Sequence, residues 1–306
     1  MIDFTPCPRN KFKAYGGANG NKINISYNGE SYMLKFPPQP TRNKAMSYTN
    51  SCISEYISCQ ILNSMGIKAQ ETLLGTFTTK KGKTHVVVAC KDFTTSNKRL
   101  MEFAELKNAC VDSLNSGYGT ELENIMSAIE EQELIPVHEL KSHFWNMFVT
   151  DALLGNFDRH NGNWGILVDE QNQTAEIAPI YDCGFCLYPQ ILESDMKLIM
   201  TDKSEIDKRI FVYPTSIIKI DDKKISYFDY ISLHENLECT KALIEISKRV
   251  NMDEISRIIN ETPFISDIQK DFYKTMIKKR KERIIDFSLS KLQLNDDNLN
   301  KKRKRN

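Results

Sequence analysis

The chain has 306 residues, 41% of them hydrophobic and 26% charged, with a formal net charge of +1. This is ordinary globular composition and excludes a disordered or collagen-like chain. The small net charge exerts no global attraction for polyanions, so no DNA binding is predicted from it. No stretch nears the ~20 consecutive apolar residues that span a bilayer. The start, MIDFTPCPRNKFKAYGG, holds no apolar segment of signal-peptide length. The expectation is a protein off the membrane, cytoplasmic or secreted without a cleaved signal. Eight cysteines are scattered through the chain, so reduced thiols are the default. Cys183 and Cys186 form a lone C-x-x-C, which argues weakly for zinc.

In chain order, Phe12 to Tyr15 reads as a short strand. Gly16, Gly17, Ala18, Asn19 and Gly20 follow. This run is either a plain hairpin turn or a loop whose backbone N–H groups can approach phosphate oxygens. Ile23, Ile25 and Tyr27 alternate with polar residues, as in a half-buried strand. Asn28-Gly29 predicts a tight hairpin, with Ser31 to Phe36 returning as the partner strand. There Tyr32, Leu34 and Phe36 share one face, and Met33 and Lys35 the other. A lysine is usually solvated, but Lys35 sits in an apolar strand, where a role in a cleft is the better reading.

Tyr48 to Met65 has helical spacing, with Ile53, Ile57 and Ile61 as its stripe, Gly66 as its stop and Glu55 beside the stripe. Leu73 to Phe77 and Thr84 to Cys90 read as two more strands, and Lys91-Asp92-Phe93 as a hinge. Five strands and one helix would make a small lobe over residues 1–97. From Lys98 the pattern becomes helical: Leu100 to Val111, Glu121 to Glu133 and Val137 to Leu154 are expected helices of a second lobe over 98–298. Trp164–Val168 and Glu176–Ile180 read as a strand pair, and 187–233 as irregular with short helices. Leu237 to Val250, Met252 to Ile259 and Pro263 to Leu289 read as helices. A tail, 299–306, carries the basic cluster Lys301-Lys302-Arg303-Lys304-Arg305. That cluster is either a solvated end or a signal read by a nuclear-import receptor.

The chemistry concentrates between Gly155 and Leu167, in GNFDRHNGNWGIL. Asp158 precedes Asn163 by five positions, the D-x-x-x-x-N spacing of a kinase catalytic loop. Taken alone, this spacing could be an Asx-rich turn. Other parts fall in the order that phosphoryl transfer needs: a glycine-rich turn, Lys35, Glu55 twenty residues later, and Asp182-Cys183-Gly184 after the loop.

Together NFDRHNGN, APIYD, YMLKFP and SEY resemble the motifs of the HipA-like kinases, and the length and glycine run are closest to their short proinflammatory effector members. The resemblance covers roughly Tyr15 to Leu187. It implies an α+β, bilobed protein-kinase-like fold, with a small antiparallel-sheet N-lobe bearing one main helix and a larger, mainly helical C-lobe. It implies a Ser/Thr kinase that uses ATP and Mg²⁺, phosphorylates a protein substrate and itself, and acts inside a host cell, in cytoplasm or nucleus. By this carry-over Asp158 is the catalytic acid/base, and Asn163 and Asp182 hold Mg²⁺. Lys35 contacts the α/β-phosphates and is held by Glu55. Gly16, Gly17, Ala18, Asn19 and Gly20 cover the phosphates, and backbone atoms near Cys90, Lys91 and Phe93 hold adenine. The family's toxins carry a self-inactivating Ser before the glycine loop; Lys13-Ala14-Tyr15 has none, which puts that switch in doubt. The DRHxxN pattern also fits phosphoinositide-type lipid kinases, where His160 would share the proton role. A nucleotide-binding module without turnover is the third reading.

Overall fold

The computed structural model describes residues 1–13, 22–38, 47–110 and 117–294. The glycine run and the basic tail lie outside these residues.

A six-stranded sheet forms the N-lobe, in the order β1-β5-β6-β4-β3-β2. Its strands are β1 (Ile2–Asp3), β2 (Arg9–Asn10), β3 (Lys22–Tyr27), β4 (Glu30–Lys35), β5 (Thr72–Thr78) and β6 (Thr84–Lys91). All pairings are antiparallel except β1 with β5. The β3–β4 turn places Asn28 at φ 52° and Gly29 at φ 81°, both left-handed as a type I′ turn requires. Of the strand expected over Phe12 to Tyr15, Phe12 and Lys13 are outside any strand, Phe12 being fully exposed in a turn, while Ala14 and Tyr15 lie outside the described residues; the edge strand is Arg9–Asn10.

The two faces of β4 separate as its alternation predicts. Tyr32 and Leu34 join Phe4, Ile25, Phe77, Val87 and Ala89 in a small core on one side. Met33 packs toward the main core on the other. That side is covered by α1 (Ser51–Ser64), whose Ile53, Ile57 and Ile61 are buried. Each fully buried aliphatic side chain contributes about 1.5–3 kcal/mol, so the stripe seats α1 firmly against the sheet.

Residues 100–102 are not helical. They belong to β7 (Lys98–Glu102), which pairs with β8 (Gly165–Asp169), and β9 (Thr174–Ile177) completes a three-stranded sheet. Helix α2 starts only at Phe103 and runs to Cys110. The run Leu100, Met101, Phe103, Ala104, Leu106 looks helical locally, but its first part is claimed by a distant strand. Gly165 permits this: a Cβ there would lie 2.2 Å from the Met101 carbonyl oxygen.

The C-lobe is otherwise helical. Helix α3 (Leu122–Glu131) packs on α4 (Val137–Leu154). Helix α4 buries Leu140, Phe144 and Phe148 on one side and ends at Gly155, φ 68°, the left-handed cap that glycine adopts freely. Short helices α5 (Glu193–Thr201), α6 (Lys203–Asp207) and α7 (Tyr227–Leu233) occupy the irregular stretch. A hairpin, β10 (Lys219–Ile220) and β11 (Lys223–Lys224), interrupts them. Helices α8 (Leu237–Arg249), α9 (Met252–Glu261) and α10 (Asp267–Arg280) close the lobe.

Candidate active site

The segment after α4 is built on one buried ion pair. Arg159 is 4% exposed and Asp151, on the last turns of α4, 3% exposed. Arg159 Nε donates to Asp151 Oδ2 at 3.0 Å. Its Nη1 donates to the carbonyls of Asn163 at 2.8 Å and Tyr181 at 2.5 Å, and its Nη2 to the Cys183 sulfur at 3.4 Å. One guanidinium therefore ties α4, the loop and the segment carrying Asp182 together. Asn156 adds to this: its amide donates to Asp151 Oδ1 at 2.9 Å, and its oxygen accepts from the Asp158 N–H at 3.0 Å. Asn161 donates to the carbonyls of Gly117 and Gly119, each at 2.8 Å.

On this frame the loop presents Asp158, His160 and Asn163 to a cleft of about 810 Å³. Asn163 Nδ2 donates to the Asp158 carbonyl at 2.8 Å, which leaves its Oδ1 as the group available to a cation. His160 Nδ1 accepts from the Gly162 N–H at 3.0 Å. A neutral His160 therefore carries its proton on Nε2. Asp182, at φ 56°, adopts a backbone that Asp tolerates better than most residues.

Lys35 lies across the cleft. Its Nζ donates to Glu55 Oε2 at 3.0 Å and to Asp182 Oδ1 at 3.0 Å. Residues separated by 147 positions thus meet in one contact. Burial works to lower the Lys35 pKa, but Asp182 and Glu55 outweigh it and hold the ammonium well above its ordinary value. Burial works to raise Asp182, and Lys35 outweighs it, holding the carboxyl at about 2. Glu55 shifts the other way: burial raises it despite Lys35, and its Oε1 has no hydrogen-bond partner among the described residues. Asp158 is also raised, by burial first and by the charge of Asp182, against the opposing pull of His160, Arg159 and Lys224.

The cleft brings together Lys35, Glu55, Asp158, His160, Asn163 and Asp182, and Phe93 also lines it. Cys90 and Lys91 are not among its lining residues. The Lys91 N–H donates to the Glu71 carbonyl at 2.8 Å, and its own carbonyl accepts from Gln70 Nε2 at 2.9 Å, so both backbone groups are spent on holding β6.

Several lining residues are not singled out by the sequence. Leu100 and Glu102 reach the cleft because β7 is a strand. Tyr118 donates to Glu102 Oε2 at 3.1 Å, and Tyr181 stacks obliquely 5.7 Å from Phe93. A signal for the Arg159–Asp151 pair does exist: an acid in the apolar run VTDALL needs a counter-charge if that helix is buried.

Two oxygen donors of different charge, the Asp182 carboxylate and the Asn163 amide, suit a hard divalent cation that also takes phosphate oxygens. With a lysine opposite and a second carboxylate beside them, they form a site fit for phosphoryl transfer.

Comparison with known proteins agrees. Residues 11–261 match the HipA-like C-terminal domain. The chain is 50% identical over 286 residues to the serine/threonine-protein kinase CtkA of Helicobacter pylori, covering 93% of this chain and 86% of that protein. The crystal structure of the H. pylori proinflammatory kinase CtkA superposes with a TM-score of 0.89 at 49% identity, over 96% of this chain and 98% of that one. HipA of Shewanella oneidensis, solved with HipB and operator DNA, shares the fold at a TM-score of 0.59 and 15% identity, over 92% of this chain and 67% of that one. The chain belongs to the HipA-like family of serine/threonine protein kinases.

Proposed function

We propose that the chain transfers the γ-phosphoryl group of ATP, with Mg²⁺, to Ser/Thr hydroxyls of a protein substrate and of itself. The observation that carries this reading is the shared cleft of Lys35, Asp158, Asn163 and Asp182. Asp182 and the Asn163 Oδ1 would hold Mg²⁺. An ion held there would supply charge neutralisation to the phosphates. Lys35 pairs with the α/β-phosphates, and Glu55 keeps its ammonium in place. Asp158 orients the acceptor hydroxyl and takes its proton. His160 offers its Nε2–H toward the transferred group. Positioning and charge stabilisation do the work, and no covalent intermediate on the enzyme is needed.

Val88, Phe93, Leu100 and Tyr181 would form the adenine slot, with backbone groups at Phe93 supplying hydrogen bonds. Cys90 and Lys91 then act by fixing the strand end that leads to Phe93. Glu102 would accept from the ribose hydroxyls. Gly16, Gly17, Ala18, Asn19 and Gly20 would cover the phosphates. Residues 1–97 are the N-lobe in this reading, 98–298 the C-lobe and 299–306 a tail.

The H. pylori relative carries the description proinflammatory kinase. We extend an effector role in host cells, and so in virulence, to this chain, with Lys301 to Arg305 engaging a nuclear-import receptor. Incubation with ATP and Mg²⁺ followed by mass spectrometry tests the transfer: phosphorylated Ser or Thr on the chain is expected. An unmodified chain that also labels no protein acceptor would contradict it. Deleting residues 301–306 should leave transfer intact and reduce nuclear accumulation in a eukaryotic cell; an unchanged distribution would reduce the tail to a solvated end.

A further inference from the structure

Four aromatic rings are grouped about Phe157, the residue before Asp158, and none is among those assigned to the adenine slot. Phe157 precedes the catalytic carboxylate directly. Its ring lies 5.2 Å from that of Phe185 and 5.4 Å from that of Tyr213. Tyr48 closes the group, 5.0 Å from Phe185 and 6.0 Å from Phe157. Tyr48 and Phe185 line the same cleft as Asp158, Lys35 and Asp182.

This cluster is not a closed core. Phe157, Phe185 and Tyr48 are half-buried, and Tyr213 is 41% exposed. Gln190 Nε2 donates to the Tyr213 hydroxyl at 3.3 Å, which fixes the ring at its outer edge. Tyr213 also lines a groove of about 720 Å³ beside α5 and α6, where Leu198 and Val212 mix with the charged Asp195, Glu205 and Lys208. Leu198 is 68% and Val212 65% exposed.

The Phe157–Tyr213 contact joins this groove to the rings that line the catalytic cleft. A chain that brings an acceptor hydroxyl to Asp158 has its neighbours one or two positions away within about 3–7 Å of that hydroxyl. We propose that Tyr48, Phe157, Phe185 and Tyr213 select protein substrates in which a bulky apolar residue lies one or two positions from the phosphoacceptor Ser or Thr. This rests on the placement of Asp158 as the acceptor-orienting group.

The test uses the full-length protein and peptides with one fixed Ser and each nearby position varied. At one such position Phe or Leu should raise kcat/KM about ten- to a hundredfold over Ala or Asp, the range that burying one apolar side chain supplies. Tyr213→Ala should remove most of that preference by raising KM, with kcat nearly unchanged. Tyr213→Phe should keep it. The thermal shift produced by Mg–ATP should be the same in both variants as in the wild type. Equal kcat/KM across all residues at every position would overturn the proposal, as would an undiminished preference in Tyr213→Ala. It would also fall if the wild type responded to Mg–ATP yet phosphorylated no peptide. A wild type with no thermal response to Mg–ATP would instead overturn the nucleotide reading, and this inference with it.

Discussion

The guanidinium of Arg159 lies on the carboxylate of Asp151, both almost fully buried, and from there reaches the backbone on either side of the two acids that face the cleft. The charge that positions Asp158 and Asp182 is thus itself hidden from substrate and solvent. Removing one member of a buried pair strands the other charge and costs about 3–5 kcal/mol. Arg159→Ala should therefore lower unfolding free energy by that amount in a denaturant titration. Asp151→Asn should also destabilise, but less, because the amide can still accept from Arg159. Wild-type midpoints in both would mean that the pair does not hold the loop.

The parts of the site that are adjacent or regularly spaced along the chain are legible in the amino-acid sequence. Asp158 and Asn163 sit in one loop at a fixed spacing, and Lys35 and Glu55 mark a strand and a helix whose patterns are unambiguous. The contacts that complete the site are not legible in this way. Arg159 touches Cys183, twenty-four residues on, and nothing local indicates it. Leu100 and Glu102 are hidden because β7 pairs with a strand more than sixty positions away, and an apolar run without alternation reads as helix. The family resemblance, not local spacing, puts Cys90 and Lys91 near the adenine site, and the bonds from Lys91 to Glu71 and Gln70 are likewise invisible in the sequence.

Glu55 and Asp182 share one ammonium and should respond to pH in opposite senses. Asp182 is held at about 2, below its ordinary 3.8. Its contribution to stability is therefore present above about pH 4 and is lost as pH falls toward 2. Glu55 is raised by burial, so its protonated form is the one favoured by folding, and ionisation weakens stability as pH rises through the folded value. Glu55→Gln should consequently leave the melting temperature at neutral pH unchanged or higher while reducing turnover through a less well-held Lys35. A large drop in melting temperature would show that the Glu55 charge is a net stabiliser.

Asp158 must be ionised to take a proton, and burial raises its pKa above the ordinary 3.8. The acid limb of kcat/KM, which reports the free enzyme, should lie above the ordinary aspartate value and be absent from Asp158→Asn. A limb that persists unchanged in that variant belongs to another group.

ATP should stabilise the folded chain only when a divalent metal is present. Linkage gives about 2.7 kcal/mol at a hundredfold excess over Kd. Lys35→Ala should lose most of this shift together with turnover. His160→Ala should lose little turnover; a loss as deep as that of Asp158→Asn would move the proton role toward His160, as in the lipid-kinase pattern.

The central claim is that the two acids of the cleft have separate duties, and Mg–ATP affinity measured in parallel with turnover tests it most directly. Asp158→Asn should bind Mg–ATP with near wild-type affinity while turnover falls by about 10²–10⁴-fold, the usual worth of a general acid/base group, with no rescue by added metal. Asp182→Asn should lose Mg–ATP affinity, and its turnover should recover in part with more Mg²⁺ or with Mn²⁺. Equal loss of Mg–ATP binding in the two variants would contradict the division of roles.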